Sequence, residues 1–377
     1  MIKTLARALV SAGVETHVAA TDDNGHGRLN VPLGQPVVED GVTYWYFPRQ
    51  GRFYTFSWPL TRWLAQHLQE YDLIHIHALF SYAAIPAAYW ASRCGVPYVV
   101  RPLGVLKRWG MQNRRRWLKK ISLRLIESRI LAGAALVHYT SEEERQEAAE
   151  SVTVARSVII PNAVDLSTNS VIIEKRGLFR ARYPQLIGRT LIVFLSRLDP
   201  IKGLDLLLPA FAKVRERHPR ATLVMAGTGE RAFVARLQRE ASRLGIELDI
   251  VWADFVSGEE KWALLADADL FVLPSYSENF GVAAVEAMAS GVPVVVSDQV
   301  GIHREIAEAN AGLVVRCEAG ALANAVIRLV GDAELRSRMG ANGRHLSRAQ
   351  FSPEAVAARL IQAYTSIAKP ALSEAAA

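Results

Sequence analysis

The chain has 377 residues, of which 50% are hydrophobic and 21% are charged, and its formal net charge is +7. This composition excludes a disordered polar chain and provides enough apolar residues for about two globular domains. The two cysteines, Cys94 and Cys317, lie far apart in sequence, so they exclude a disulfide framework and a cysteine metal cluster, and they indicate a reducing compartment.

The first predicted element is an amphipathic helix at the N-terminus. Leu5 and Leu9 have helical spacing, Gly13 ends the pattern, and Arg7 interrupts the apolar run that a signal peptide requires. No segment of the chain reaches the roughly 18 apolar residues that a membrane-spanning helix needs, so none is expected.

Short apolar runs alternate with helical patterns along the chain, which predicts two parallel α/β sheets. The strands predicted for the first sheet are Thr16–Ala20, Leu73–His77, Tyr98–Arg101, Leu136–Tyr139 and Val158–Ile160. Those predicted for the second are Leu191–Leu195, Thr222–Ala226, Ile250–Trp252, Leu270–Leu273 and Val294–Val296. The predicted domains are residues 1–165, residues 166–352 and a terminal segment, 353–377, that contains a helix.

Positive charge is concentrated between Arg101 and Arg129, a segment that contains ten Lys or Arg residues and a single acid, Glu127. A solvated helix face is one interpretation of this segment, and contact with an anionic membrane surface or an anionic acceptor is the other. Nucleic acid is not predicted as a partner, because no stacking array or nucleic-acid motif accompanies the charge. The central cations are Arg114, Arg115, Arg116, Lys119 and Lys120, with Trp109 and Trp117 nearby.

The segment from Ser275 to Asp298 carries the most specific functional signal. Glu278 follows a predicted buried strand and Glu286 lies eight positions further on, so both carboxylates can face one cleft at the carboxyl edge of the sheet. Gly281 lies where a helix would begin, and backbone N–H groups there suit a phosphate, while carboxylates suit sugar hydroxyls. Two solvated glutamates are the alternative, but the polar loop at a binding edge argues against it.

This segment closely resembles the donor-site signature of retaining glycosyltransferases of family four, which have the GT-B fold. The resemblance rests on the glutamate spacing, the Phe280-Gly281 pair and the Ala-Ser-Gly-Val-Pro run from residue 289 to residue 293. It implies two Rossmann-like domains, a nucleotide-sugar donor in the C-terminal domain, an acceptor in the N-terminal domain, a terminal helix that crosses back, and no metal cofactor. The donor contacts that it implies here are Glu278, Asn279, Phe280, Gly281, Val282 and Glu286.

A second motif follows the predicted strand Leu191–Leu195. Arg197 and Lys202 lie five positions apart across a turn that ends at Gly203, and two cations at the carboxyl end of a strand suit a diphosphate. Two surface cations are the alternative. Their match to the family's Arg…Lys-Gly motif implies donor-phosphate binding, with their charge stabilising the departing nucleoside diphosphate.

Two further segments match donor-site positions of the family. Gly227 and Gly229 form a Gly-x-Gly turn after a predicted strand, which alone indicates only a tight turn. The resemblance implies that this turn lies beside the nucleoside. It also implies that Val256 belongs to a loop that contacts the nucleobase, largely through its backbone.

Two histidines end a predicted strand of the first domain. Alternation places His75 and His77 on one face, with His77 at the carboxyl tip. A metal site is disfavoured because no third ligand lies close in sequence. The resemblance implies that His77 lies near the transferred sugar, where its neutral ring can hydrogen-bond a hydroxyl. The catalytic residues that it implies are His77, Glu278, Arg197 and Lys202.

The acceptor candidates are Arg101, at the end of a predicted strand, and Ser141, which also fits a plain N-cap before an acidic first turn. Leu103 stands where many relatives have a histidine, so acceptor handling is expected to differ. Asp267 and Asp269 resemble an Asp-x-Asp metal motif, but they precede a predicted strand at its amino end, so we assign them no metal.

Family members begin with a strand and a Gly-rich loop, whereas this sequence opens in a helix, so we expect the first strand to be missing from it. We predict a retaining hexosyltransferase that moves a hexose from a nucleotide-diphosphate sugar to a glycan or lipid-linked acceptor in cell-surface polysaccharide or lipopolysaccharide synthesis. Its expected location is the cytoplasm, with peripheral contact at the inner face of the cell membrane. A nucleotide-sugar epimerase of the same fold and a non-catalytic GT-B subunit are the alternatives.

Overall fold

The computed structural model describes residues 1–25, 27–51, 54–112, 116–166 and 174–368. The chain divides into two compact units, of which the first comprises Met1–Ala163 and the chain from Pro353 onward, and the second comprises Val164–Ser352. Arg114 and Arg115, which belong to the predicted basic surface, lie outside the described residues. No helix in the described part of the chain is long and apolar enough to cross a membrane.

The first unit begins with helix α1 and a small mixed sheet. The strands of this part are β1 (His17–Thr21), β2 (Asp23–Asn24), β3 (Gly27–Arg28), β4 (Pro36–Glu39) and β5 (Val42–Phe47), and α1 covers Ile2–Ser11. Strands β1 and β5 pair in parallel, β5 and β4 pair antiparallel, and β2 and β3 form a short hairpin. Asp40 and Gly41 both have positive φ angles, 52° and 77°, as a two-residue hairpin turn between β4 and β5 requires.

A separate four-stranded parallel sheet follows in the same unit. Its strands, in spatial order, are β6 (Ile74–His77), β7 (Tyr98–Arg101), β8 (Leu136–Tyr139) and β9 (Ser157–Ile159). The helices of this part are α2 (Trp58–His67), α3 (Ala84–Cys94), α4 (Arg108–Gln112), α5 (Arg116–Ser122), α6 (Ser128–Gly133) and α7 (Glu142–Ala149), with a π-helical turn, Leu123–Glu127, between α5 and α6.

The prediction of one five-stranded first sheet was therefore wrong in its pairing. The five predicted segments are strands, but in the described chain β1 pairs with β5 while the other four form a sheet of their own. The sequence carried a usable signal for β4 and β5, because an Asp-Gly turn followed by Val-Thr-Tyr-Trp-Tyr-Phe is typical of a hairpin. Backbone pairing depends on which strand edges meet, and a local pattern does not specify that.

The second unit contains one six-stranded sheet in which all neighbours are parallel. In chain order its strands are β10 (Thr190–Leu195), β11 (Ala221–Ala226), β12 (Ile250–Trp252), β13 (Leu270–Leu273), β14 (Val294–Ser297) and β15 (Gly312–Val315). The five predicted strands of this sheet are confirmed, and β15 was missed. The strands are continuously apolar because such a sheet is buried on both faces.

The strand order of this sheet positions the candidate site. It runs β12–β11–β10–β13–β14–β15, so successive strands are added on one side of β10 up to β12 and on its other side from β13 onward, and the strand order reverses between β10 and β13. In parallel α/β sheets, ligands bind outside the carboxyl ends of the strands at such a reversal. The helices of this unit are α8 (Leu178–Arg182), α9 (Leu204–Arg217), α10 (Arg231–Arg243), α11 (Gly258–Asp267), α12 (Val282–Ala289), α13 (His303–Glu308), α14 (Ala319–Gly331) and α15 (Ala333–Leu346).

The last described helix, α16 (Pro353–Thr365), belongs to the first unit. Its residues Val356 and Leu360 join Leu5 and Leu9 of α1 in one apolar cluster, together with Ile160. The N-terminal amphipathic helix is thus a structural element of the fold, and burying its apolar face requires the C-terminal helix.

Candidate functional site

The loops that follow β10 and β13 meet through an ion pair between Lys202 and Glu278. The Nζ of Lys202 donates a hydrogen bond to Oε2 of Glu278. The side chains are only 9% and 21% exposed, so the pair is largely enclosed. Two motifs predicted independently from the sequence are therefore in contact at the carboxyl edge of the second sheet.

Glycine brings these two loops together. Gly203 has a φ angle of 69°, and a Cβ at this position would lie 2.0 Å from the carbonyl oxygen of Pro274. Beside it, the Tyr276 N–H donates to the carbonyl of Ile201 over 2.8 Å. The Tyr276 hydroxyl donates to Asp205 Oδ2 over 2.8 Å. The loop that carries Lys202 therefore lies directly on the segment that leads to Glu278.

The Glu278 loop is held on its other side by the loop after β14. The Glu278 N–H donates to the Gln299 carbonyl over 3.1 Å, and the Gly301 N–H donates to the Glu278 carbonyl over 3.1 Å. These two backbone hydrogen bonds fix the course of the chain at the carboxylate. Glu278 is thus a residue of an ordered loop, not of a loosely solvated turn.

Helix α12 begins directly after Gly281, as predicted. Gly281 has a φ angle of 101°, and a Cβ there would approach Val300 Cγ1 to 2.9 Å. Phe280 is buried and packs edge-on against Phe351, with ring centroids 5.5 Å apart. Val282, the first residue of the helix, is 38% exposed. Asn279, between Glu278 and Phe280, is half-buried. Phe280 therefore anchors the loop in the core, whereas Asn279 and Val282 on either side of it keep accessible surface.

Glu286 lies in the middle of α12 and pairs with a different cation. Lys261 Nζ donates to Glu286 Oε1 over 2.6 Å, and the same ammonium lies 4.6 Å from the centroid of the Trp262 ring. Sequence reasoning missed Lys261, since nothing in α11 marks it as a partner of α12. Each of the two predicted carboxylates thus has its own lysine.

A pocket of about 450 Å³ lies next to Arg197 and the Gly-x-Gly turn. Its lining includes Arg197, Thr228, Gly229, Glu230, Phe233 and Arg236. Arg197 is 74% exposed at its side chain, so its guanidinium is accessible. Arg236 was not predicted; it stacks on Phe233, 5.0 Å from the ring centroid, and the signal for it was an i, i+3 spacing on α10.

The two glycines of that turn permit direct backbone contact with the loop after β10. A Cβ on Gly227 would lie 1.8 Å from the Ser196 carbonyl oxygen, and one on Gly229 would lie 2.1 Å from the Leu198 carbonyl oxygen. The Leu198 N–H donates to the Thr228 carbonyl over 2.8 Å. Only glycine fits at either position, so the turn and the loop after β10 meet backbone to backbone.

The loop after β12 has an exposed aromatic ring and a buried neighbour. Phe255 is 72% exposed, whereas Val256 is 5% exposed and belongs to the core. A ligand contact at Val256 would therefore be made by its backbone.

His77 lies at the carboxyl tip of β6 in the first unit. Its ring stacks on the ring of His75 with a centroid distance of 4.3 Å and an interplanar angle of 25°. Burial, assisted by the positive charge of Arg101, lowers the pKa of His77 to about 3. The ring is consequently neutral at neutral pH, which suits a hydrogen bond with a hydroxyl group.

Arg101 and Ser141, the two acceptor candidates, are buried. Arg101 is 1% exposed, donates to Asn162 Oδ1, and has its pKa lowered to about 10 by burial. Ser141 has no exposed surface and caps α7, where its Oγ accepts from the Glu144 N–H over 3.2 Å. Their visible contacts are structural, and acceptor binding by them stays a prediction.

The described part of the basic segment is amphipathic. Arg116 and Lys120 are exposed, and Trp117 beside them is 64% exposed. Ile121 and Leu125, 49% and 51% exposed, continue the apolar row from Trp117 at intervals of four residues. The Lys119 ammonium instead donates to the carbonyl of Gly110.

The Asp-x-Asp pair has structural contacts in the second unit. Asp267 accepts from the backbone N–H groups of Gly177 and Arg180, the latter over 2.9 Å. Asp269 accepts from the Leu191 N–H over 2.8 Å and forms an ion pair with Arg180 over 3.2 Å. Both carboxylates thus help to hold α8 and β10 in place.

Two solved structures resemble this one along most of their length. Sucrose-phosphate synthase from Thermosynechococcus elongatus has a TM-score of 0.74 and 22% identity, with 97% of this chain and 92% of that chain covered. Anabaena Alr3699/HepE in complex with UDP-glucose has a TM-score of 0.71 and 20% identity, with 93% and 100% covered. At this identity the likeness shows the fold, and it confirms the predicted GT-B class.

Curated relatives match part of the chain. A GDP-mannose-dependent alpha-(1-6)-phosphatidylinositol monomannoside mannosyltransferase of Mycolicibacterium smegmatis is 34% identical over 49% of this chain and 50% of its own length. A D-inositol 3-phosphate glycosyltransferase of Corynebacterium efficiens is 35% identical over 46% and 42%. The chain thus spans about half the length of these relatives.

Two family models together match most of the chain. The model described as glycosyl transferases group 1 matches residues 179–346, which contain Lys202, Glu278 and Glu286. The model described as glycosyl transferase 4-like domain matches residues 1–163, which contain His77. The motifs, the fold and these matches agree, and the chain belongs to the family-four, group 1 glycosyltransferases.

Proposed function

We propose that this protein transfers a hexose from a nucleoside diphosphate sugar to a glycan or lipid-linked acceptor, with retention of the anomeric configuration. The observation that carries the proposal is the enclosed contact between Lys202 and Glu278. It places a cation suited to phosphate beside a carboxylate suited to sugar hydroxyls, at the point of the sheet where such ligands bind. Both belong to a unit with an open pocket beside Arg197.

The donor is proposed as a class because the relatives differ in base and sugar. The printed name of one relative specifies GDP-mannose, and one solved relative holds UDP-glucose. A nucleoside linked to a sugar through a diphosphate is common to both. In this chain Arg197 and Lys202 would bind the diphosphate, Glu278 the sugar and Glu286 the ribose. The backbone at Gly227, Gly229 and Val256 would border the nucleoside.

The proposed reaction proceeds on one face of the donor sugar. The bond between the anomeric carbon and the departing phosphate oxygen breaks, and the acceptor hydroxyl oxygen bonds to the same carbon from the same side. The acceptor proton passes to the departing phosphate oxygen. Arg197 and Lys202 would stabilise the negative charge that develops on the diphosphate. His77, held neutral, would hydrogen-bond a hydroxyl of the transferred sugar.

The proposal also includes a location: the protein would lie in the cytoplasm and contact the inner face of the cell membrane peripherally. The exposed apolar row on α5 and the π-helical turn consists of Trp117, Ile121 and Leu125, and Arg116 and Lys120 lie next to it. Apolar side chains that enter the interface, with cations at their flank, suit an anionic leaflet. Such contact would bring a lipid-linked acceptor of cell-surface polysaccharide or lipopolysaccharide synthesis to the enzyme.

The proposal is tested by incubating the protein with labelled UDP-glucose, GDP-mannose and ADP-glucose, with and without lipid-linked glycan acceptors. Slow hydrolysis should identify the donor, and NMR of the product should show an unchanged anomeric configuration. Conversion of the donor to a sugar isomer without acceptor would indicate an epimerase. Binding without turnover would indicate a non-catalytic subunit, and failure to bind any nucleotide sugar would contradict the proposal.

A further inference from the structure

Three side chains of the first unit, of which His138 is buried and His75 and Tyr364 are half-buried, form a continuous hydrogen-bonded chain. The Tyr364 hydroxyl lies 2.6 Å from His75 Nδ1, and His75 Nε2 lies 3.4 Å from His138 Nδ1. His138 Nε2 lies 2.7 Å from the carbonyl oxygen of Ile160. The chain therefore runs from the C-terminal helix α16, through β6, to β8 and the segment that follows β9.

The carbonyl at one end fixes the position of every proton in this chain. A carbonyl oxygen only accepts, so His138 carries its proton on Nε2, and in a neutral ring its Nδ1 must then accept. His75 must therefore donate from Nε2, which leaves His75 Nδ1 as an acceptor for the Tyr364 hydroxyl. Burial supports neutral rings, since it lowers the pKa of both histidines well below the ordinary value.

The His75 ring, whose orientation is fixed by its two hydrogen bonds, stacks against the His77 ring. The two rings stack at 4.3 Å. His77 Nδ1 is enclosed and has no hydrogen-bond partner among the described residues, while the residue as a whole is only half-buried. An enclosed lone pair is tolerated better than an enclosed N–H. The proton of neutral His77 therefore belongs on Nε2, which makes this atom a hydrogen-bond donor toward a ligand.

We propose that Tyr364 is a positioning residue for His77: through the fixed ring of His75 it holds the His77 imidazole in one orientation, with Nε2–H directed to the substrate. This inference rests on the proposed transferase function for its catalytic consequence, but not for the proton positions. It gives the C-terminal helix a role in the reaction in addition to its packing against α1. His77 then acts as a hydrogen-bond donor to a sugar hydroxyl, not as a base.

The proton positions are tested without any activity. Long-range ¹H–¹⁵N correlation spectra of the wild-type protein with labelled histidine, assigned with single-histidine variants, distinguish the two tautomers. His75, His77 and His138 should each show a protonated Nε2 and a bare Nδ1 at pH 7. A proton on Nδ1 of His75 or His138, or a charged ring at either position, would refute the proposed arrangement of protons in the hydrogen-bonded chain.

The positioning role is tested with Tyr364→Phe, which removes the hydroxyl and keeps the ring. His77 should change from one tautomer to a mixture. In the transfer assay kcat should fall about tenfold. Misplacement of a reacting group by about 1 Å can cost about 100-fold, and Tyr364→Phe should misplace the His77 ring only in part. The KM for the nucleotide sugar should stay within about twofold, since the donor residues lie in the other unit. Tyr89→Phe, at a tyrosine that is 55% exposed, is the matched control.

Each outcome decides the inference. A single His77 tautomer in Tyr364→Phe together with unchanged kcat would refute the positioning role. If Tyr364→Phe does not fold, the wild-type spectra still decide the proton chain on which the role depends, and Nδ1–H at His77 would refute it. A wild-type protein that transfers no sugar but shows the three expected tautomers would contradict the proposed function and leave the hydrogen-bonded chain established.

Discussion

Lys202 and Glu278 lie 76 residues apart in sequence, yet the ammonium of one donates directly to the carboxylate of the other. In the proposed function, a diphosphate would have to compete with Glu278 for Lys202, and a sugar hydroxyl would have to compete with Lys202 for Glu278. The ion pair therefore holds both side chains in place before a donor binds. This competition gives two mutations opposite consequences.

Lys202→Ala should weaken the binding of a free nucleoside diphosphate by about 1.5–3 kcal/mol, the usual value of a hydrogen bond to a charged group. It also removes the ammonium that pairs with Glu278, so the carboxylate repels the phosphates more strongly. Binding of the nucleoside without phosphate should barely change. Calorimetry with both ligands measures this, and Lys213→Ala, at an exposed lysine of α9, is the control. Equal losses for both ligands would show that Lys202 does not contact the diphosphate.

Glu278→Gln should reduce turnover strongly, because an amide is a weaker acceptor for sugar hydroxyls than a carboxylate. The affinity for a nucleoside diphosphate should not fall, since the ammonium of Lys202 is released from its ion pair. Steady-state kinetics and calorimetry separate the two effects, with Glu308→Gln as an exposed control. A variant with a normal transfer rate would show that Glu278 is only a loop residue.

Gly227→Ala should destabilise the second unit by about 1–3 kcal/mol, the usual cost of holding a residue in a sparsely populated backbone conformation. The steric clash of the new Cβ should add to this cost. Gly227 has a φ angle of 141°, and an added Cβ would lie 1.8 Å from the Ser196 carbonyl oxygen. Gly320→Ala is the matched control, because a Cβ there meets nothing within 4 Å. Because Gly320 lies in the first turn of helix α14 and has open space around it, the control should leave the stability nearly unchanged. Chemical denaturation tests both, and equal stabilities would contradict the backbone contact.

The free energy of unfolding should fall as the pH is lowered below about 6.5, where histidines of the unfolded chain take up protons. Burial lowers the pKa values of His75, His77 and His138, with Arg101 as a further cause for each, so the native state does not bind these protons. Each such histidine steepens the decline by up to about 1.4 kcal/mol per pH unit. For His77 this window extends down to its folded pKa of about 3.

Denaturation of wild type and His75→Phe between pH 7.5 and pH 5, a range chosen around the ordinary pKa of about 6.5, measures this slope. The variant keeps an aromatic ring but loses one titrating group, so its stability should depend less steeply on pH. Carboxylates titrate alike in both proteins and cancel in the comparison. Parallel curves would mean that His75 is protonated equally in the folded and unfolded states.

Replacing Arg116 and Lys120 together with Ser should weaken binding to vesicles rich in phosphatidylserine by about 30-fold, since each cation near an anionic leaflet contributes about 1 kcal/mol. Higher salt should weaken wild-type binding as well. Exchanging Arg338 and Arg348, two exposed arginines of the second unit, should have little effect. If wild type and the Arg116/Lys120 variant float alike in a vesicle gradient, the basic segment is a solvated helix face.

The placement of the candidate donor residues at one sheet edge could be predicted because they follow strands that the sequence marks clearly. Arg197 and Lys202 follow β10, and Glu278 follows β13, both continuously apolar runs of a sheet buried on two faces. Carboxyl ends of adjacent parallel strands meet at one edge. The sequence by itself therefore determined five of the six strands of the second sheet, the family and the candidate donor residues.

Only the tertiary structure decided which side chains pair. Lys261 meets Glu286, Tyr364 meets His75 across 289 residues, and β1 pairs with β5 instead of joining the four-stranded sheet. The physical reason is common to these cases. Periodicity and turn residues report the local conformation of the backbone, whereas a contact between distant segments depends on how whole elements pack, for which no local pattern exists.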